Sequence, residues 1–179
     1  MKLPIVKLVK PADLDKKIPG KIPPALLTDL PGGGKLHHLA AKAWLAMVEH
    51  AKAVNIELKP TSSADTYRSY DMQLAGFKQR YLLTDTGTGK TRQFEGKTWY
   101  LKPKMAPMAA PGTSIHNLGL AVDVSNASGP RLKWLVENEH LFGFSHELQE
   151  EPWHIRLVTG DAITPLVQDW VARQVEPKV

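Results

Sequence analysis

The most informative part of this chain is the stretch Ser114-Ile115-His116-Asn117-Leu118-Gly119-Leu120-Ala121-Val122-Asp123, followed later by Glu151-Pro152-Trp153-His154. Together the two stretches supply two imidazoles and two carboxylates. A catalytic zinc site takes three protein ligands and keeps one position open, whereas a structural site is usually closed by four. The residue types therefore predict a catalytic metal centre, with His116, Asp123 and His154 as ligands and Glu151 as a spare carboxylate.

The two stretches also predict the local structure that brings these side chains together. Residues 120–124 alternate in polarity and predict a strand that carries Asp123 on the face opposite to its larger apolar side chains. Gly119 gives the preceding turn its freedom in φ, so that the two ligands of this stretch can face one point. Residues 153–158 predict a second strand, with His154 at its start. The ligands are therefore expected to line one small sheet.

Helical spacing of apolar residues predicts four helices around this sheet. They are 36–54, 69–83 with Ser69 as N-cap, 130–141, and 162–174 with Asp161 as cap. A short strand is predicted at 56–58, and a hairpin over 93–100 is predicted to turn at Glu95-Gly96. These elements lie on both sides of the two motifs in the sequence.

The order of these elements indicates the fold class. Helices come first and a helix separates the strands that carry the motifs, which predicts an α+β fold. We expect a single domain with a small, mainly antiparallel sheet that carries the metal site and is flanked by helices. Residues 1–34, rich in Pro, Gly and Lys, predict an extended N-terminal arm, and 35–179 predict the catalytic domain. The irregular residues 84–113 predict a wall or a lid of the cleft.

Composition and charge exclude several classes of protein. The chain contains no cysteine, so disulfides and thiolate metal sites are excluded. The net charge of +5 suits an anionic partner such as a cell wall. The basic residues are scattered rather than clustered with aromatic ones, which argues against nucleic-acid binding. No apolar run could cross a bilayer, and Lys7 and Lys10 interrupt any signal-peptide pattern, so we expect no membrane insertion and a cytoplasmic location at synthesis.

Glu151 is the candidate general base. It stands three residues before His154, and Pro152 between them argues against a helix there. A carboxylate on a turn before the ligand strand can hang over the open metal position. There it could take a proton from water and pass it to a leaving amine. Glu150 is the neighbouring alternative, although the motif favours Glu151.

A second group of histidines lies earlier in the chain, at His37-His38. The pair falls inside the predicted helix 36–54. Adjacent residues on a helix point in different directions. We therefore predict that these two side chains do not share a metal ion.

The pattern Ser-x-His-x-x-Gly-x-Ala-x-Asp followed by Glu-Pro-Trp-His closely resembles the D-alanyl-D-alanine metallopeptidase family. That family includes D,D-carboxypeptidases, D,D-dipeptidases and phage L-alanyl-D-glutamate endopeptidases. It belongs to a wider group with lysostaphin-type peptidases and the hedgehog signalling domain. The resemblance covers about residues 55–160, and nine matched positions in two clusters make it specific.

The resemblance implies that the three predicted ligands bind zinc and that Glu151 is the catalytic base. It also implies that Arg68, in Thr66-Tyr67-Arg68-Ser69-Tyr70, binds substrate or steadies the oxyanion, a role that suits a fixed cation with several donors. Gln73 is expected on the same wall of the substrate cleft. Ser114 matches a motif position and is a further candidate for contact with substrate.

The function implied by the resemblance is hydrolysis of the stem peptide of bacterial peptidoglycan by a monomeric zinc peptidase. Because no signal peptide is evident, we expect an endolysin-like enzyme, phage-encoded or bacterial, that acts on the cell wall after release. The segment 145–150 is shorter than in many carboxypeptidases. The bond therefore stays open between an L-alanyl-D-glutamate endopeptidase and a D,D-carboxypeptidase. The alternative is a non-catalytic, zinc-containing binding module of the hedgehog type.

Overall fold

The computed structural model describes residues 2–175, which form four helices and eight short strands. The helices are α1 (His38–Ala53), α2 (Tyr70–Arg80), α3 (Gly129–Asn138) and α4 (Pro165–Val175). The strands are β1 (Leu27–Asp29), β2 (Lys35–His37), β3 (Tyr81–Leu82), β4 (Thr91–Phe94), β5 (Lys97–Leu101), β6 (Ala121–Asp123), β7 (Phe144–His146) and β8 (His154–Leu157). They form three antiparallel sheets in the described part of the chain, ordered β1-β2, β3-β5-β4 and β6-β8-β7. The predicted mixture of helices and small antiparallel sheets is confirmed.

The sheet β6-β8-β7 positions the two sequence motifs side by side. Strand β8 lies in the middle and pairs antiparallel with both neighbours, so that Asp123 is opposite His154 and Val122 is opposite Ile155. Val122 and Ile155 are fully buried. Because side chains alternate across a strand, the burial of these apolar residues turns the adjacent Asp123 and His154 to the other face.

Helix α1 provides most of the other side of the main core. Its apolar residues recur at helical spacing, and one face, including Ala40, Trp44 and Met47, is buried. Trp44 packs edge-on against Phe144 of β7, with ring centroids 6.4 Å apart. The sheet β6-β8-β7 is thus supported from behind by an apolar helix face.

The N-terminal residues pack onto this core as an extended segment. Leu14, Ile22 and Leu30 belong to the main apolar cluster. Val9 donates its backbone N–H to Val158 at 3.1 Å, just beyond the end of β8. The boundary between an arm, 1–34, and a domain, 35–179, stays a prediction.

The predicted hairpin over 93–100 is confirmed with small changes at its ends. Strands β4 and β5 pair antiparallel and turn at Glu95-Gly96, where both residues have positive φ. Strand β3 joins the other edge of β5. Phe77 of α2 stacks on Tyr81 of β3 at 4.5 Å between ring centroids, forming a second, smaller apolar cluster.

Several predicted boundaries are wrong, and in each case a tertiary contact outweighs the local pattern. Helix α1 begins at His38 because Leu36 belongs to strand β2, where it pairs with Thr28 of β1. Helix α2 ends at Arg80 because the next two residues pair with β5. Residues 56–58 form no strand, and the nearby Pro60 makes an isolated bridge to Val124.

The ends of the last two helices also differ from the prediction. Helix α3 stops at Asn138, and a 3₁₀ turn, Glu139–Phe142, continues it. Helix α4 begins at Pro165 rather than at 162. Asp161 does not cap it, because its carboxylate accepts the backbone N–H of Ala12 at 3.1 Å and 3.2 Å. None of the helices in residues 2–175 combines the length and apolar character needed to cross a membrane.

Candidate metal centre

His116 lies in a 3₁₀ turn, Ile115–Leu118, which is flanked by Ser114 and Gly119. The hydroxyl of Ser114 accepts the backbone N–H of His116 at 3.3 Å and so caps the turn. Gly119 ends the turn in the left-handed region, with φ of 71°. A Cβ at this position would lie 2.8 Å from the backbone nitrogen of His37, so both conformation and space require glycine here.

Three segments from other parts of the chain hold this turn. The backbone N–H of Gly20 donates to Asn117 at 2.6 Å, and that of His37 donates to Gly119 at 2.9 Å. Arg68 donates its backbone N–H to the carbonyl of His116 at 3.0 Å. The turn is therefore fixed by residues that are distant in sequence.

The three predicted ligands converge. Asp123 Oδ1 lies 3.2 Å from His116 Nε2 and 2.7 Å from His154 Nδ1. One ligand atom from each residue lies within 4.8 Å of the other two. Two imidazole nitrogens and one carboxylate oxygen make a donor set that fits zinc.

Hydrogen bonds on the far side of each ring determine which nitrogen faces this point. His116 Nδ1–H donates to the carbonyl of Thr66 at 2.8 Å, which leaves Nε2 turned toward Asp123. His154 Nε2 lies 2.8 Å from Glu147 Oε2, which leaves Nδ1 turned toward Asp123. Acceptors of this kind orient metal-binding histidines and make them more basic.

Glu147 is a residue of this site that the sequence did not predict. It lies in the short segment between β7 and β8, and its second oxygen accepts from Arg156 of β8 at 3.0 Å. Its only signal in the sequence is a carboxylate within a segment already expected to shape the cleft. Glu147 and His154 are seven residues apart, and the chain between them has neither helical nor strand periodicity. The sequence therefore gives no sign that the two side chains are in contact.

In the metal-free protein, the hydrogen bonds among these residues favour the charged forms of His154 and Asp123. Burial alone would lower the pKa of His154, but its hydrogen bonds to Asp123 and Glu147 raise this pKa to about 9. Burial likewise opposes ionisation of Asp123, yet the bonds from His116 and His154 hold its pKa well below the ordinary value. A metal ion at this point would take the place of the proton on His154.

A cavity of about 520 Å³ opens onto the three ligands. Its lining includes the basic residues Arg68, Arg80 and Arg92 and the acidic residues Glu147, Glu150 and Glu151. Residues 106–109 and Arg92 also line it, so part of the predicted segment 84–113 forms a wall of the cleft.

Glu151 lies on the turn that leads into β8, at the edge of this cavity. Its backbone carbonyl accepts from the N–H of His154 at 3.0 Å, which fixes the distance between base candidate and ligand along the chain. The residue is half-buried and lines the cavity together with Glu150. Both residues therefore line the cleft, and the choice of Glu151 as base stays a prediction.

Arg68 is held firmly at the cavity wall. Its Nε donates to the carbonyl of Ala64 at 3.0 Å, and one terminal nitrogen donates to Gln73 Oε1 at 3.0 Å. Asp65 lies 3.5 Å from the other terminal nitrogen. Burial lowers the pKa of Arg68 from its ordinary high value, while Asp123 and Asp65 favour its charged form.

Gln73 lies directly behind Arg68. It is fully buried, and its amide nitrogen donates to the carbonyl of Ala109 at 2.7 Å while its oxygen accepts from Arg68. Through its bond to Arg68 this side chain helps to hold the guanidinium at the wall, and a contact of Gln73 with substrate stays a prediction. Ser114 does line the cavity, although its hydroxyl also caps the His116 turn.

The sequence is similar to two bacterial proteins of known name. It is 36% identical over 95 residues to a D-alanyl-D-alanine carboxypeptidase of Enterococcus faecalis, covering 44% of this chain and 32% of that protein. It is 30% identical over 151 residues to YodJ of Bacillus subtilis, named as a carboxypeptidase, covering 73% of this chain and 48% of that protein. This chain thus matches about a third and about half of the length of these two relatives.

The fold is similar to that of a solved VanY D,D-pentapeptidase from a VanB-type resistance cassette, a Glu-to-Ala mutant in complex with Zn(II). The TM-score is 0.53 at 22% identity, and the match covers 94% of this chain and 97% of the other. At this identity the likeness concerns the fold alone.

A family profile described as VanY, D-alanyl-D-alanine carboxypeptidase, matches residues 33–160. This range covers well over half of the chain, so the protein belongs to the VanY D-alanyl-D-alanine carboxypeptidase family. The family suggested by the two sequence motifs is confirmed.

Proposed function

We propose that this protein is a zinc-dependent carboxypeptidase that removes the C-terminal D-alanine from stem peptides of bacterial peptidoglycan. The observation that carries the proposal is the convergence of His116, Asp123 and His154 at the base of a cavity lined by Glu151 and Arg68. The VanY family and the two named relatives favour a carboxypeptidase.

The ligand residues would hold zinc through His116 Nε2, His154 Nδ1 and a carboxylate oxygen of Asp123. When bound, zinc polarises a carbonyl and lowers the pKa of water to about 7. Thr66 and Glu147 keep the two rings in the orientation that this ligation needs. The solved VanY structure in complex with Zn(II) supports the choice of metal.

Glu151 would carry the proton through the reaction. Its carboxylate takes a proton from the attacking water and donates it to the amine of the departing D-alanine as the peptide bond breaks. A partly exposed carboxylate at the mouth of the cavity is suited to both transfers, because it can reach the water and the leaving group in turn. Glu150 serves as the matched alternative in any test.

Arg68 would bind the oxygen atoms of the substrate. Ala64, Asp65 and Gln73 fix its guanidinium, so little side-chain entropy is lost when it binds an anion. Such a fixed cation can hold either the C-terminal carboxylate or the oxyanion that develops at the reacting carbonyl.

A competing proposal is cleavage between L-alanine and D-glutamate, together with the endolysin-like role after release from the cell. A monomeric state and a cytoplasmic start stay predictions. The non-catalytic module is disfavoured, because a binding domain would not need a base and a fixed arginine in an open cleft.

The deciding experiment incubates the protein with a synthetic muramyl pentapeptide ending in D-Ala-D-Ala and identifies products by mass spectrometry. We expect release of one D-alanine, lost on dialysis against a chelator and restored by zinc. Release of a peptide with an N-terminal D-glutamyl end would replace the proposal with the endopeptidase. Failure to cleave in the presence of zinc would refute both.

A further inference from the structure

A second group of potential metal ligands lies outside the cleft, where the N-terminal segment meets helix α1. We define it as the N-terminal cluster, Asp13, His37 and His38. Asp13 Oδ1 lies 2.9 Å from His37 Nε2, and Asp13 Oδ2 lies 2.7 Å from His38 Nε2. One ligand atom from each residue lies within 4.8 Å of the others.

The two histidines converge, contrary to the sequence-based prediction. His37 is not inside the helix but precedes it as the N-cap, with φ of −53° and ψ of 140°, and His38 is the first helical residue. The change of backbone direction between them brings the rings to 4.3 Å between centroids. The prediction that these side chains point apart is therefore wrong.

The backbone holds both halves of the cluster in place. His37 is fully buried and donates its backbone N–H to Gly119 at 2.9 Å. Asp13 lies in a 3₁₀ turn, Ala12–Leu14, anchored by the buried Leu14 and by the bond from Ala12 to Asp161. The three ligands are thus positioned before any ion binds.

The cluster is also open on one side. The side chains of Asp13 and His38 are about one-third exposed, at 33% and 34%. An ion can therefore enter from solvent and complete its coordination with water. Two imidazoles and one carboxylate again form a mixed set that suits zinc.

We propose that the N-terminal cluster is a second zinc site, which fastens the N-terminal segment to the start of α1. Binding through His37 Nε2 moves the ring proton to Nδ1, which now faces the backbone N–H of Leu39 at 3.4 Å. That long contact is lost, so zinc binds here less tightly than in the cleft. The proposal does not depend on catalysis.

The first test counts zinc bound after equilibrium dialysis of the whole protein, with detection by plasma mass spectrometry. We expect two equivalents in the wild type and one in each of Asp13→Asn and His38→Gln. His116→Ala, which removes a cleft ligand, should also retain one equivalent. His140→Gln, at an exposed histidine, is the matched control and should retain two.

A single equivalent in the wild type would overturn the proposal, as would loss of an equivalent in the His140→Gln control. A second measurement covers variants that fold poorly. Trypsin cleavage after the exposed Lys16 and Lys17 should slow at least several-fold when zinc is added to the wild type. An equal slowing in His38→Gln would show that the N-terminal cluster is not responsible.

Discussion

The cleft triad and the N-terminal cluster contain the same residue types but differ in what lies behind the rings. In the cleft, His116 and His154 each face an acceptor on the outer side, Thr66 or Glu147. In the N-terminal cluster, the outer nitrogen of His37 instead faces a backbone donor. An acceptor behind the ring holds the ring proton on the outer nitrogen, so the inner nitrogen is free to bind metal. A donor behind the ring holds the proton on the inner nitrogen instead.

The types of ligand residue alone therefore do not determine how tightly a site binds its metal ion. The cleft combines pre-set tautomers with a large cavity, as catalysis requires. The N-terminal cluster has the ligands and the access but a less favourable proton arrangement, which suits a weaker structural ion. The following predictions test this contrast, beginning with the largest effect.

Removal of one cleft ligand should abolish activity. His154→Ala should lower the rate of D-alanine release by roughly a thousand-fold or more, because the Lewis acid contributes several kcal/mol. The same variant should still bind one zinc at the N-terminal cluster. Activity assays paired with zinc counting check both statements, and appreciable residual turnover would show that the cleft does not hold the catalytic ion.

Removal of the base should separate catalysis from metal binding. Glu151→Gln should lower kcat by about 10²–10⁴-fold, the usual contribution of general acid–base catalysis, while cleft zinc is retained. Glu150→Gln is the matched control and should change kcat by only a few-fold. A larger loss in the control than in Glu151→Gln would transfer the role of base to Glu150.

The metal-free protein should become less stable as the pH rises, because of His154 in the cleft. The pKa of His154 is about 9 in the folded protein and near 6.5 when unfolded, so its protonated form stabilises the fold. This contribution, on the order of 3 kcal/mol, is complete below pH 6.5 and is lost as the pH rises through 9. Thermal unfolding of chelator-treated protein from pH 6 to 10 measures the decline.

His154→Gln supplies the comparison for this pH series. Without the titrating ring, the unfolding temperature of the chelated variant should change less over the same pH range. If wild type and variant decline in parallel, the loss of stability comes from other groups.

Loss of the outer acceptor should weaken the cleft site without destroying it. Glu147→Gln removes the charge behind His154, and zinc affinity should fall by about 10–100-fold, as is typical for such partners. Competition with a chromophoric chelator measures this change. Unaltered affinity would contradict the role we assign to Glu147 and would remove one half of the contrast between the two clusters.

The sequence predicted the parts of the site that depend on short stretches of chain. His116, Asp123 and His154 lie in motifs whose turn and strand patterns are local, so both their chemistry and their pairing could be anticipated. Glu147 and Asp13 could not be, because their contacts with histidines arise from tertiary packing. Arg68 was found only through family resemblance, and the burial of Gln73 goes with its hydrogen bond to the distant Ala109 carbonyl.

The predicted elements show the same division. The hairpin at Glu95-Gly96 and the cap at Ser69 follow from local backbone preferences, and both are present. The boundaries that were predicted wrongly are set by contacts with distant parts of the chain. Asp161, for example, accepts the backbone N–H of Ala12 and does not cap helix α4. Local signals therefore identified the elements, and long-range contacts decided where they end.

The turn that carries His116 has a consequence for the order in which the protein folds. Its backbone accepts hydrogen bonds from Gly20, His37 and Arg68, which are separated from it by roughly fifty to a hundred residues. Contacts across such separations require closure of long loops and are slow to form. The metal-binding turn should thus be among the last parts to reach its native shape, and zinc capture should report the completion of folding.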